Sequence, residues 1–266
     1  LFFEGPFNPL FSITGFCVGM LVGITGVGGA SLMTPLLVLL FGVHPAMAVG
    51  TDLLYAAITK TAGAAVHHRH GKINWQMTGL LALGSIPAAL LTLWLMSGID
   101  RTDMAAVSTL TTALGWMLLL TATILIFRGA IMAAKTRWVK THALPSSRTI
   151  AIYTLILGLV LGFVVTMTSV GAGAIGVTML LLLYPRTAIQ EIVGSDIAHA
   201  IPLTFVGGIG YWLIGEIDWF MLLALLVGSI PGIILGSFLA PRMPERLVRI
   251  ILAVTLAMVG AKLIAS

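Results

Sequence analysis

Gly50-Thr51-Asp52 returns as Gly194-Ser195-Asp196, an offset of 144 residues from position 52 to position 196. The same ungapped offset carries Gly71-Lys72-Ile73-Asn74-Trp75 onto Gly215-Glu216-Ile217-Asp218-Trp219 and Gly84-Ser85-Ile86-Pro87 onto Gly228-Ser229-Ile230-Pro231. Gly29 and Thr34 fall on Gly173 and Thr178. An apolar composition alone does not give ungapped matches across roughly 70 residues, so the chain is an internal duplication.

The composition fixes the solvent. Hydrophobic residues make up 59% of the 266 and charged residues 9%, whereas a soluble domain carries about 25% charged residues to cover its wet surface. Apolar runs of about 18 or more residues, the length that crosses a hydrocarbon core near 30 Å, recur along the chain. One membrane domain over residues 1–266 is expected. The net charge of +5 does not point to nucleic acid, because the basic residues sit in short loops between apolar runs, where they orient a membrane protein. Cys17 is the single cysteine, which excludes an intramolecular disulfide and a cysteine metal cage. No basic segment precedes the apolar run from Phe7 to Val22, so the start reads as trimmed rather than as a cleavable signal peptide.

Each half opens with a long apolar stretch broken by glycines, Leu10 to Phe41 and Ile150 to Tyr184, at Thr25-Gly26-Val27-Gly28-Gly29 and Ser169-Val170-Gly171-Ala172-Gly173. Three ordinary helices are predicted after each, near 46–66, 76–97 and 104–127, and near 189–214, 219–240 and 246–264. Loop charge decides how the broken stretches run. If each crosses once, the basic loop residues divide eight against five. If each goes in and comes back, Arg69, Lys72, Arg128, Lys135, Arg137, Lys140, Arg148, Arg186, Arg242, Arg246 and Arg249 share one side, against only Arg101 and Lys262. Eleven against two satisfies the positive-inside rule. The expected architecture is therefore all-α and integral to the membrane, with two inverted repeats, each a glycine-broken hairpin plus three transmembrane helices. Repeat one spans 7–127, a cytoplasmic linker 128–148 and repeat two 149–266. Re-entrant hairpins and pairs of complete short helices both satisfy the count.

Non-helical backbone inside hydrocarbon survives only when buried in protein or lining a watery cavity, so the two breaks mark a candidate site. Half-helices starting after Gly29 and Gly173 would aim free N–H groups at the protein centre, a ready anion site. Gly28 and Gly171 belong to the same breaks. Thr25, Ser31 and Thr34 add hydroxyls beside the first, and Thr168, Ser169 and Thr178 beside the second. Gly15, Gly19 and Gly23, four residues apart, read instead as a helix-packing stripe. Asp52, Lys60 and Asp196 lie well inside apolar runs, with His199 beside the last. Charges there cost about 2.5–3.5 kcal/mol each and are functional candidates by default. Lys60 suits an anion; Asp52, Asp196 and His199 suit coupling, with a structural Asp–Lys pair or a helix cap as the bland alternative for the acids.

Two patterns are set aside. Gly171-Ala172-Gly173-Ala174-Ile175-Gly176 fits G-x-G-x-x-G but lacks a βαβ context, and His67-His68-Arg69-His70 has no partner cluster in the other half and reads as a headgroup-facing loop. No cofactor and no metal is expected.

Gly26-Val27-Gly28-Gly29 leading to Pro35-Leu36-Leu37, then Ala48-Val49-Gly50-Thr51-Asp52, with the second copy ending in Val193-Gly194-Ser195-Asp196, resembles the sulfite exporter TauE/SafE family of bacterial inner-membrane proteins. The resemblance covers nearly the whole chain. It implies export of sulfite or an organosulfonate across the cytoplasmic membrane, with substrate contacts at the glycine breaks and at Thr51 and Ser195. Ala172 in place of Gly28 and Met179 in place of Pro35 depart from the pattern in the second copy. The alternatives are transport of another small organic anion, an uptake carrier, an intramembrane hydrolase using His199 with Ser195 or Ser169, and a non-transporting scaffold. The expected partners are a small anion and the lipid bilayer, with a homodimer left open.

Overall fold

The computed structural model of the chain describes residues 9–25, 32–67, 73–98, 104–141, 146–239 and 243–265. Among them ten helices follow in order: α1 Pro9–Thr25, α2 Met33–Phe41, α3 Pro45–His67, α4 Trp75–Ser97, α5 Met104–Thr141, α6 Ser147–Thr168, α7 Ala174–Leu183, α8 Ile189–Leu213, α9 Trp219–Leu239 and α10 Glu245–Ala265. No strand occurs among the described residues. The duplication is visible in the element order, since α3 and α8 begin at equivalent positions, as do α4 and α9. Six of the described helices, α4, α5, α6, α8, α9 and α10, contain a stretch long and apolar enough to cross a membrane. Leu83 and its counterpart Val227, both 67% exposed, illustrate the apolar outer surface that suits lipid.

The broken stretches fold back on themselves. Phe11, near the start of α1, packs against Phe41 at the end of α2, with ring centroids 4.5 Å apart. In the second half Thr154 Oγ1, early in α6, lies 2.8 Å from the hydroxyl of Tyr184, just beyond α7. Each stretch thus returns toward the end it came from. At 1.5 Å per residue the return helices α2 and α7 are about 15 Å long, half a hydrocarbon core. Gly42 ends α2 in the left-handed region at φ +63°, donating its N–H to the Leu37 carbonyl, a conformation that glycine adopts without Cβ strain.

Helices too short to stand alone need a wall, and the wall comes from the other repeat. α1 packs along α9, and α6, the counterpart of α1, packs along α4, the counterpart of α9. Both seams are backbone on backbone. A Cβ at Gly15, Gly19 or Gly23 would collide with the carbonyl oxygens of Leu225, Ser229 and Ile233, and one at Gly228, Gly232 or Gly236 with those of Ser12, Phe16 and Met20. In the second seam Gly84 meets the Leu155 carbonyl, and Gly158 and Gly162 meet those of Leu81 and Ser85. This is the small-residue packing that apolar solvent favours, where close approach replaces hydrophobic drive. α3 against α8 and α5 against α10 complete the bundle.

One element is longer than expected. α5 does not stop where the apolar run stops at residue 127 but continues to Thr141, so much of the anticipated linker is helix. Ala, Met, Lys and Arg dominate residues 130–140, and these propagate a helix whether or not lipid surrounds it. At about 57 Å, α5 outruns a hydrocarbon core.

The seams make a stability prediction. Gly162→Ala forces a Cβ into the Ser85 backbone and is expected to cost about 1–3 kcal/mol. Gly79→Ala, with nothing within 4 Å of the new carbon, is expected to be neutral or slightly stabilising. Thermal unfolding of the two purified variants in one detergent checks the contrast; equal melting temperatures would contradict it.

Candidate functional site

α3 and α8 cross near the middle of the molecule and run antiparallel: Gly50 meets Tyr211, Leu53 meets Gly207 and Leu54 meets Gly208. Asp52 and Asp196 each lie seven residues into their helices, so the antiparallel pairing sets them toward opposite ends. Both are buried, at 0% and 2% exposure.

Asp52 caps the first return helix. Its Oδ2 accepts the Thr34 backbone N–H at 3.2 Å and the Thr34 hydroxyl at 2.6 Å. Thr34 is the second residue of α2, whose N-cap residue Leu32 offers no side-chain bond. Free N–H groups and a positive helix end attract a carboxylate, and the sequence supplies one from α3. The anion site anticipated after the first break therefore already holds a carboxylate of the chain itself. Gly28, Gly29 and Ser31 lie outside the described residues, and Thr25 is described only as the helical end of α1.

The second break differs. Ser169 ends α6 in the left-handed region at φ +57° and Gly171 follows at φ +104°. The Gly171 carbonyl accepts the N–H groups of Ile175 and Gly176 at 3.1 and 3.4 Å and so opens α7. The amides of Ala172 and Gly173 find no backbone acceptor among the described residues. Thr178, counterpart of Thr34, turns its hydroxyl back to the Ala174 carbonyl at 2.7 Å. Asp196 rests instead on Gly176, where its Oδ1 occupies the place of a Cβ. Glycine at 176, where the first copy has Leu32, makes that approach possible.

On the crossing helices and beside them lie buried polar atoms without a hydrogen-bond partner among the described residues: Asp52 Oδ1, Asp196 Oδ1, His199 Nδ1 and Ser169 Oγ. Ser169 faces the Asp52 carboxylate, bringing the second break to the acid of the first copy, without hydrogen-bond geometry. Lys60, partly buried on α3, acts electrostatically on Asp196 and then on Asp52, and on His199 as well. Native interiors leave few polar atoms unsatisfied, and clusters of them mark places for water, ions or ligands.

Other candidates are engaged by the fold. Ser195 Oγ accepts the Asn74 N–H at 2.9 Å and donates to the Glu191 carbonyl at 2.7 Å. Thr51 Oγ1 faces the Asp218 N–H at 3.5 Å, the symmetry-related contact. His199 Nε2 sits 2.7 Å from Ser85 Oγ, so the structure pairs it with neither Ser195 nor Ser169, and no described group holds its Nδ1. Ser85 is a site-lining residue that sequence reading missed; its place in the repeated Gly-Ser-Ile-Pro was the available signal. No cluster of three metal-ligating residues occurs among the described residues.

A family model described as sulfite exporter TauE/SafE matches residues 11–263. The chain belongs to the TauE/SafE family. It is 40% identical over 252 residues to the probable membrane transporter protein YjnA of Bacillus subtilis, covering 95% of this chain and 98% of that one. YdhB, another probable membrane transporter protein of the same organism, is 29% identical over 94% of this chain and 97% of its own. A probable membrane transporter protein of Xylella fastidiosa is 26% identical over 86% and 84%. No solved structure matches. With its apolar helices, this TauE/SafE chain is a multi-pass membrane transporter.

The two half-sites predict different responses. Thr34→Val removes a hydroxyl bonded to a buried carboxylate and is expected to cost about 1.5–3 kcal/mol. Thr178→Val removes a hydroxyl bonded only within its own helix and is expected to cost less than about 1 kcal/mol. Parallel thermal melts test the ordering, which a symmetric site would not produce.

Proposed function

We propose that the chain exports a small sulfur-containing oxyanion, sulfite or an organosulfonate, across the bacterial cytoplasmic membrane, as a carrier and not an enzyme. The observation that carries this reading is the cluster at the α3–α8 crossing, where Lys60 lies within electrostatic reach of two buried acids, Asp196 and Asp52, whose Oδ1 atoms have no hydrogen-bond partner among the described residues. An incoming anion meets α2 already capped by Asp52. The start of α7, with its free amides and the Ser169 hydroxyl, is the remaining place for it, and Lys60 supplies the positive charge. N–H and O–H donors match sulfonate oxygens.

The fold-back contacts of both hairpins support an inverted repeat, because a returning hairpin plus three crossings makes an odd number per half. The loop charges favour a cytoplasmic position for the Arg186 end. With the cytoplasm negative, an anion leaving the cell gains about 2.3 kcal/mol per charge per 100 mV. Efflux then needs no coupled ion, and Asp52, Asp196 and His199 are free to adjust charge within the cycle.

Proteoliposomes loaded with labelled sulfite or sulfoacetate test the proposal. A potassium–valinomycin potential negative inside is expected to accelerate efflux, and Lys60→Ala to abolish it; indifference to both would refute the electrostatic mechanism. Topology is checked separately on a Cys17→Ser background. An impermeant maleimide applied outside is expected to label Glu216→Cys and not Trp138→Cys, and labelling of both would defeat the inversion.

A further inference from the structure

The glycine seams leave little room for sliding, because backbone already touches backbone along α1–α9 and α4–α6. Rearrangement between the ends of the molecule falls to the contacts that join these seams to the central helices. There the motif hydroxyls meet the caps of the opposite repeat. Asn74 caps α4 by accepting the Met77 N–H at 3.1 Å, and Asp218 caps α9 by accepting the Met221 N–H at 3.0 Å. The backbone N–H of each cap residue points to a hydroxyl from the other half, Ser195 for Asn74 and Thr51 for Asp218.

The two contacts are equivalent by sequence and unequal in strength. At the Asn74 end the Ser195 bond is 2.9 Å long. It is reinforced by Asn74 Nδ2 to Glu191 Oε1 at 3.1 Å and by the Thr78 hydroxyl to the Ser195 carbonyl at 3.3 Å. At the Asp218 end the Thr51 contact is stretched to 3.5 Å, while α3 meets the same segment where Gly50 lies against the Glu216 carbonyl. A small crevice lies at the same end of α3, lined among others by His44, Ala46, Tyr211 and Glu216. Its walls include residues leading into α3 and residues leading to Asp218, together with Met96 of α4 and Ala106, Val107 and Leu110 of α5. His44 Nε2 and Tyr211 OH are without partners among the described residues.

We propose that Ser195–Asn74 and Thr51–Asp218 are the two gates of an alternating-access cycle, the Asn74 end being held more tightly than the Asp218 end in this structure. The proposal rests on the chain being a transporter and not on which anion it carries, so its test uses no substrate. Single reporter cysteines, Ala46→Cys in the crevice and Thr187→Cys at the Asn74 end, are placed on the Cys17→Ser background and alkylated with a small maleimide. The ratio of their rates reports how the population divides between the two open states. Ser195→Ala is expected to lower the Ala46-to-Thr187 ratio about fivefold, the change set by one net hydrogen bond. Adding Thr51→Ala is expected to return the ratio toward the parent, because both gates are then weakened. Such a rescue separates gating from misfolding. An unchanged or raised ratio in Ser195→Ala, or a further fall on adding Thr51→Ala, would overturn the proposal.

Discussion

Backbone polar groups cannot be left unsatisfied in hydrocarbon, and a chain that breaks two helices inside a membrane must surround the breaks with protein. This fold meets that constraint by exchange between its halves. Each hairpin is seated against the fourth helix of the opposite repeat, along seams where a Cβ on glycine would strike a carbonyl oxygen. The hairpins can then be short, since a neighbour rather than their own length carries them through the interior. Neither repeat could build this wall alone, so the duplication is a structural requirement as well as an ancestry.

The same exchange assembles the site. Asp52 of the first copy faces Ser169 of the second, while Ser85 of the first sits on His199 of the second. The counterparts of the latter pair are Ser229 and Tyr55, which also lie together. The second copy thus has an imidazole, His199, where the first has the phenol of Tyr55. Lys60 has no charged counterpart either, since the equivalent position is Thr204. Repetition supplies the frame, and departures from repetition supply the chemistry.

Much of this was legible in the sequence because the relevant physics is local or periodic. Apolar length identified the helices, the ungapped offset paired them, and loop charge favoured hairpins that return, consistent with the contacts of Phe11 with Phe41 and Thr154 with Tyr184. The four-residue spacing of Gly15, Gly19 and Gly23 announced close packing but could not name α9 as the partner. α5 outran its hydropathy because helix propensity does not end where lipid does. The site was harder to read. Ionisable residues in apolar runs stood out, yet whether a carboxylate waits for a substrate or caps a helix depends on which N-terminus the fold sets before it. For Asp52 that is the start of α2, some eighteen residues away in sequence.

On the proposed reading of an anion carrier, the capped and uncapped half-sites offer a substrate different things. A symmetric pair of open helix N-termini around a lysine would hold a divalent oxyanion tightly, and tight holding in every state slows release. Asp52 keeps one N-terminus occupied by a tethered carboxyl group that cannot leave, held by the Thr34 N–H and hydroxyl. Asp196, resting on Gly176 without a hydrogen bond to α7, leaves the other N-terminus open while drawing on the same Lys60. A carrier needs a site strong enough to select and weak enough to let go. Filling one N-terminus with Asp52 and leaving the other open is a direct physical way to set that balance for the proposed substrate.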